Sequence, residues 1–355
     1  MKKQKIWIAT GGTGGHIFPA LSVADELIRR GHRVIISSDE RGMKIVRNDR
    51  PMGAGVAFVW ASGVGAKSLP KQILSLFKIG MSAIALTLRF LLFPPARVVA
   101  FGGYSSVPVI FAARLLKIPT FLHEQNAHIG RANKLALRWV DTLMTSFPVV
   151  EGIGNTNANI VYTGLPVRKE FLTENNYHTS AGEFHLLITG GSLGSEFIDN
   201  VIPDMIMKLP MTMRKKLFIT QQTRRENVNR MQRFYATNGI KANVIAFINN
   251  FAESLSNTDL VIGRGGASTI AELQAIGRPA ILVPLEINPD QAANAAQFAK
   301  TGGGIDIAQK KFTAKWLATT LTELFENPAR LKKMAAAAKI PNNAVNKIVN
   351  KVLEV

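Results

Sequence analysis

Short apolar runs alternate with longer stretches of helical periodicity along most of the chain. KIWIAT, RVIISS, VAFVWA, RVVAFGG, TFLHE and TLMTSF predict buried strands. Between several of them lie segments such as FPALSVADELIRRGH, apolar on one helical face and closed by Gly31 as a C-cap. This alternation predicts a parallel sheet with helices on both faces. Near residue 186 the design restarts as FHLLITGGSLGSEFIDNVIPDMIMKL: strand, glycine turn, amphipathic helix. KLFITQQ, NVIAFI, LVIGRGGAS and PAILVPL continue it as strands. The expected fold class is α/β, with two doubly wound Rossmann-like domains facing a cleft. Gly164 and Pro166 interrupt the periodicity in VYTGLPVRKEF, which places the domains at 1–163 and 164–340, followed by a last helix in 341–355.

One segment departs from this rhythm. KQILSLFKIGMSAIALTLRFLLFPPARVV is apolar from Ile73 to Phe93, long enough to span a bilayer, but Lys78 and Arg89 interrupt it. Lys71, Ser75, Lys78, Ser82, Ala85 and Arg89 recur at helical spacing, so they form one polar stripe beside a wide apolar face. The segment reads either as a buried helix covering the first sheet or as an interfacial helix on anionic lipid. The basic start MKKQKIWIAT has an apolar run too short for a signal-peptide core and reads as a first strand.

Charge and composition narrow the partners. With 43 basic against 24 acidic residues the net charge is +19, which favours an anionic partner: nucleic acid, acidic lipid or a phosphorylated substrate. The absence of cysteine excludes disulfides, thiolate catalysis and cysteine metal sites. The basic residues are not interleaved with aromatic stacking platforms, so no nucleic-acid partner is expected.

The candidate chemistry lies in the glycine-rich turns. GGTGGH at 11–16 is not a dinucleotide fingerprint, because Ile17 stands where the third glycine belongs, and it lacks the lysine of a P-loop. Turns of this kind recur as FGGYSS at 101–106, TGGSLG at 189–194 and GRGGAST at 263–269. Each leaves backbone N–H groups at a helix start, where phosphate or a sugar hydroxyl is held well. In GRGGASTIAEL, Glu272 is spaced either to accept bonds from a ribose diol or to complete a capping box with Ser268 or Thr269; spacing alone favours the cap.

Taken in order, GGTGGHIFPAL, GGYSSVP, LHEQNAHIGRANK, TGLPVR, GGSLGS, GRGGASTIAEL and DQAANA resemble the MurG family over almost the whole chain. The resemblance implies a type B glycosyltransferase fold and a peripheral enzyme on the cytoplasmic face of the bacterial plasma membrane. It implies inverting transfer of N-acetylglucosamine from UDP-N-acetylglucosamine to the 4-hydroxyl of the N-acetylmuramoyl residue of lipid I, giving lipid II. Partners would be the UDP-sugar, lipid I and the anionic inner-membrane surface. No cofactor and no metal are implied. The first domain would bind acceptor and membrane, the second the UDP-sugar, and the last helix would pack back on the first.

Carried over residue by residue, the resemblance puts Thr13, Gly14, Gly15 and Asn126 at the donor, Arg168 and Ser192 at its diphosphate, and Ile248 at uracil through its backbone. Ala267, Ser268, Thr269, Ile270, Ala271 and Glu272 would hold phosphate and ribose, with Glu272 on the ribose hydroxyls in place of a cap. Gln291 would read the sugar, and Tyr104 and Asn133 would lie on the acceptor side. His16 is the candidate base, with Glu124 as the alternative. The chain departs from the family at NPDQ before Gln291, at Leu193 and at Gly265. A sugar-nucleotide epimerase of the same fold is the rival enzyme class, and it would act on the UDP-sugar without any acceptor.

Overall fold

The computed structural model describes residues 2–61, 69–172, 177, 182–191 and 194–354, with 69–71 by backbone alone. Contacts divide the chain into two units, Met1–Arg168 with Asn342–Val355, and Lys169–Pro341. The division follows Arg168 rather than residue 163, because Leu165 and Val167 are buried and the Leu165 carbonyl accepts a bond from Asn342 Nδ2.

The first unit is a parallel sheet of β1 (Lys5–Ala9), β2 (Arg33–Ser38), β3 (Gly55–Phe58), β4 (Arg97–Ala100), β5 (Thr120–Glu124), β6 (Thr142–Thr145) and β7 (Asn159–Tyr162). Its order is β3-β2-β1-β4-β5-β6-β7. Successive side chains of a strand face opposite ways, and here both faces are covered. Ile6 and Ile8 join Ile17, Leu21 and Leu27 of the Gly14–Arg29 helix, while Trp7 and Ala9 join Leu86, Phe90 and Val107 on the other side. The C-terminal helix, Ala344–Leu353, inserts Ile348, Val349 and Val352 into the first of these cores. Arg30 pins it by donating to Asn346 and Asn350 side-chain oxygens.

The Leu69–Leu92 helix is turned opposite to a soluble amphipathic helix. Its buried side carries Ser75, Ser82, Ala83, Leu86 and Phe90, so part of the polar stripe faces inward. Ser82 Oγ donates to the Trp60 carbonyl, Lys78 lies over the Trp60 ring and Arg89 over Trp7. Ile73, Leu74, Leu76, Phe77, Met81, Ile84, Leu88, Leu91 and Leu92 are exposed. Among the described residues, Gln72–Leu92 is the one helix long and apolar enough to cross a membrane by length and composition.

The second unit is a parallel sheet of β8 (Phe184–Thr189), β9 (Leu217–Gln222), β10 (Lys241–Ile245), β11 (Leu260–Gly263), β12 (Ala280–Leu282) and β13 (Gly304–Asp306), in the order β10-β9-β8-β11-β12-β13. Phe184, Leu186 and Ile188 of β8 pack on Ile198, Ile202 and Met205 of the Glu196–Lys208 helix. Strands β7 and β13 were not signalled by apolar runs. β7 is largely exposed and β13 has only three residues, half-buried or exposed.

Candidate active site

In a doubly wound sheet, ligands bind at the carboxyl edge where the strand order reverses. In the first unit that point lies between β1 and β4, neighbours in register Ile6 to Arg97 through Ala9 to Ala100. The turns after these strands are GGTGGH and FGGYSS, and they pack back to back. A Cβ on Gly103 would lie 2.6 Å from Gly11 Cα, and Gly103 has φ +81°. Ser105 Oγ donates to the Thr10 carbonyl and Ser106 Oγ to the Gly102 carbonyl, which holds the second turn against the first.

His16 enters on the first turn of the Gly14–Arg29 helix, whose N-cap is Thr13. Its Nδ1 lies 3.0 Å from Thr13 Oγ1. A Cβ on Gly102 would lie 3.3 Å from His16 Cδ2 and 2.9 Å from Asn133 Oδ1, so His16, Gly102 and Asn133 converge. Burial pushes the His16 imidazole down to about 4, with the nearby Asp39 carboxylate pulling weakly the other way. Asp39 itself caps the next helix through Gly42 N and abuts Gly12.

Glu124 ends β5 fully inside the protein. Oε1 accepts from the backbone N and Nδ2 of Asn126, and Oε2 from Gly130 N and Asn133 Nδ2. Burial raises its pKa and these donors oppose the rise. The carboxylate therefore organises the loop that carries Asn126 and ties it to Asn133 on the Arg131–Ala136 helix. His123 Nε2–H donates to the Gly164 carbonyl, and burial holds this imidazole down to about 4. Tyr104 is half-buried in the FGGYSS turn, and Arg168 lies over the Phe18 ring.

The second unit repeats the plan between β8 and β11. Gly266 is the N-cap of the Ala267–Ile276 helix and no side chain caps it. Ser268 and Thr269 thus stand inside the first turn, and the capping box with Glu272 is not formed. Glu272 is half-buried on the next turn. Gly265 explains one departure from the family pattern: a Cβ there would lie 2.4 Å from the Gln291 carbonyl, so the Pro289–Lys300 helix packs directly on this turn. NPDQ forms the start of that helix. Asn288 Oδ1 caps it by accepting from Asp290 N and Gln291 N, and Gln291 Oε1 accepts from Leu285 N. Asn294 Nδ2 donates to the Gly265 carbonyl. Ile248 is buried beside exposed Phe247. Ser192 and Leu193 lie outside the described residues.

Sequence reading missed Arg264, which the turn places under both glycine loops of this unit, and Ser195, which caps the helix after β8. The only signal for Arg264 was a charged residue among glycines at a strand end. Among the described residues, no three His, Asp or Glu side chains group as metal ligands.

Two such parallel α/β units are the architecture of type B glycosyltransferases. The glycosyltransferase family 28 N-terminal domain matches residues 6–145 and the family 28 C-terminal domain residues 185–352. A crystal structure of Acinetobacter baumannii MurG superimposes with TM-score 0.80 at 28% identity, covering 100% of both chains. A Listeria monocytogenes structure described as a putative UDP-N-acetylglucosamine 2-epimerase has TM-score 0.68 at 13% identity over 100% of this chain and 98% of its own, which is likeness of fold alone. A protein of Rhodospirillum centenum named UDP-N-acetylglucosamine–N-acetylmuramyl-(pentapeptide) pyrophosphoryl-undecaprenol N-acetylglucosamine transferase is 40% identical over 345 residues, 95% of this chain and 90% of its own. One of that name from Novosphingobium aromaticivorans is 40% identical over 93% of this chain and 86% of its own. The chain is a glycosyltransferase. It belongs to the MurG family of N-acetylglucosamine transferases that these relatives define.

Proposed function

We propose that the protein moves N-acetylglucosamine from UDP-N-acetylglucosamine to the 4-hydroxyl of the N-acetylmuramoyl residue of lipid I, with inversion, producing lipid II and UDP. The observation that carries this reading is the 40% identity, over 95% of the chain, to a relative named for the transfer. The geometry of the two switch points supports the roles proposed next.

His16 is the base. In the tautomer this role needs, Nδ1–H donates to Thr13 Oγ1 and the Nε2 lone pair faces substrate. Burial keeps the ring neutral near physiological pH, so the lone pair is available. As Nε2 takes the proton, the acceptor oxygen bonds to the anomeric carbon. The bond from that carbon to the β-phosphate oxygen breaks, and UDP leaves with the electron pair. An imidazole this acidic is a weak base, but an arriving diphosphate raises its basicity by stabilising the imidazolium. Glu124 is a positioning residue for Asn126 and Asn133, because its oxygens already accept bonds from both.

In the second domain, N–H groups at the start of the Ala267–Ile276 helix meet the diphosphate, and Glu272 accepts from the ribose hydroxyls. Arg168 and Ser192 add to the diphosphate site, Ile248 reads uracil, and Gln291 reads the sugar. The exposed apolar side of the Leu69–Leu92 helix docks the enzyme peripherally on the anionic cytoplasmic face of the plasma membrane. The direct test is transfer of labelled sugar from UDP-N-acetylglucosamine to a lipid I analogue, with a parallel incubation lacking acceptor. Label in the lipid product supports the reading. Conversion of the UDP-sugar without acceptor, and no transfer, would replace it with an epimerase.

A further inference from the structure

The second domain buries a cation that no carboxylate among the described residues pairs. Arg264 follows β11 and is only 7% exposed. Its Nη2 donates to Ser195 Oγ at 2.7 Å, and its Nη1 to the Val283 carbonyl and to Gln309 Oε1, each at 2.9 Å. The guanidinium also lies over the Phe197 ring. Every one of these acceptors is neutral. Among the described residues no carboxylate pairs with Arg264, and burial is what lowers its pKa. Buried Arg278 is different: burial lowers its pKa too, but Tyr177 and then the Asp259 carboxylate oppose that fall. Burying an ion unpaired is strongly unfavourable, so an uncompensated guanidinium calls for a reason.

Its position supplies one. Ser195 is the N-cap of the helix entered from the β8 turn, Val283 directly follows β12, and Arg264 itself opens the β11 turn. One planar fork therefore ties together the ends of three adjacent strands, two of which, β8 and β11, form the switch point. The β8 turn is also held from β9, where Gln222 Nε2 donates to the Gly191 carbonyl at 3.0 Å. The net effect is a set of cross-ties at the ends of these strands, beside a guanidinium that no carboxylate among the described residues pairs.

We propose that Arg264 is a positioning residue for the donor diphosphate, and that this diphosphate is the counter-charge the buried guanidinium lacks. The inference rests on the reading that the second domain binds the UDP moiety. Arg264 acts through the turns it ties and through its field, without touching the ligand.

The experiment compares UDP with uridine, which has the same base and ribose but no phosphate. Calorimetric titration of the full chain measures both for wild type, Arg264→Gln and Arg264→Lys, with thermal melts to confirm folding. For Arg264→Gln, UDP affinity should fall on the order of tenfold, the scale of one charge acting through a partly screened path. Uridine affinity should change by less than about threefold on the same scale. Arg264→Lys loses the planar fork, which lowers both affinities, but keeps the charge and should hold the ratio of UDP to uridine affinity within about threefold of wild type. Equal losses for UDP and uridine in Arg264→Gln would show a scaffold role only and overturn the proposal. If Arg264→Gln does not melt cooperatively, Arg264→Lys decides, and collapse of its ratio overturns the proposal. Failure of wild type to bind UDP would instead overturn the donor-site reading beneath it.

Discussion

His16 joins three properties that the bare motif GGTGGH does not display together: a place on the first helical turn, a partner for Nδ1, and a neutral ring. His16→Ala should lower turnover by about 100- to 10,000-fold, the range of general bases, with UDP affinity nearly unchanged. Steady-state transfer and UDP titration check this, and a fall of less than tenfold would remove His16 as the base. The buried histidines also set a pH dependence of stability. His16 and His123 titrate near 6.5 when unfolded and near 4 when folded. Between those values the unfolded chain binds more protons, so stability rises with pH through that window and is lost as pH falls. Glu124 has its pKa raised and works in the opposite sense, so net proton uptake on unfolding there should be below two. Denaturant unfolding across pH 4 to 6.5 measures it; stability falling with rising pH would contradict the assignment.

At the scale of elements, glycines decide how closely the turns after β1 and β4 pack. Gly103→Ala puts a Cβ against Gly11 and forces a left-handed conformation on alanine. It should cost about 1–3 kcal/mol and lower the melting temperature, read by thermal unfolding. At the second helix start the local sequence favours a capping box, but Gly266 takes the cap position because the chain enters the helix earlier than that pattern implies. Glu272 therefore does not serve as the capping-box partner of Ser268 or Thr269. Glu272→Ala should weaken UDP binding by about 1–3 kcal/mol while the melting temperature holds. Unchanged UDP affinity would make Glu272 structural.

At the scale of the molecule, the proposed lipid docking rests on the Leu69–Leu92 helix. Phe77 and Met81 are 58% and 44% exposed, on a chain of net charge +19. Each basic residue near anionic lipid contributes roughly 1 kcal/mol, a contribution that fades with salt, whereas inserted apolar area persists. Sedimentation with anionic vesicles should therefore show binding that weakens but survives at high salt. Replacing Phe77 and Met81 by Gln should abolish the salt-resistant part and leave UDP binding intact. Equal binding to neutral and anionic vesicles would count against the charge contribution.

Local sequence was enough for the strand cores and for the glycine turns, because a buried parallel strand must be apolar along its length and a turn meeting backbone at close range admits only glycine. TFLHE coincides with β5 and RVIISS with β2 for that reason. The ordered motifs were likewise enough for the family, since all but DQAANA, which opens the Pro289–Lys300 helix, follow strand ends where side chains are chosen by chemistry. The strands with little buried surface, β7 and β13, left no apolar run to read. Three features appeared only in the tertiary structure. Glu124 is saturated by donors from Asn126, Gly130 and Asn133, the Leu69–Leu92 helix turns its serines inward, and Arg264 reaches Ser195 across 69 positions of sequence. Each depends on which neighbours satisfy a polar group, and periodicity records only which face of an element is apolar. The sequence around Arg264 shows a charge among glycines; the fold shows that the charge is buried and tied to neutral partners at three strand ends.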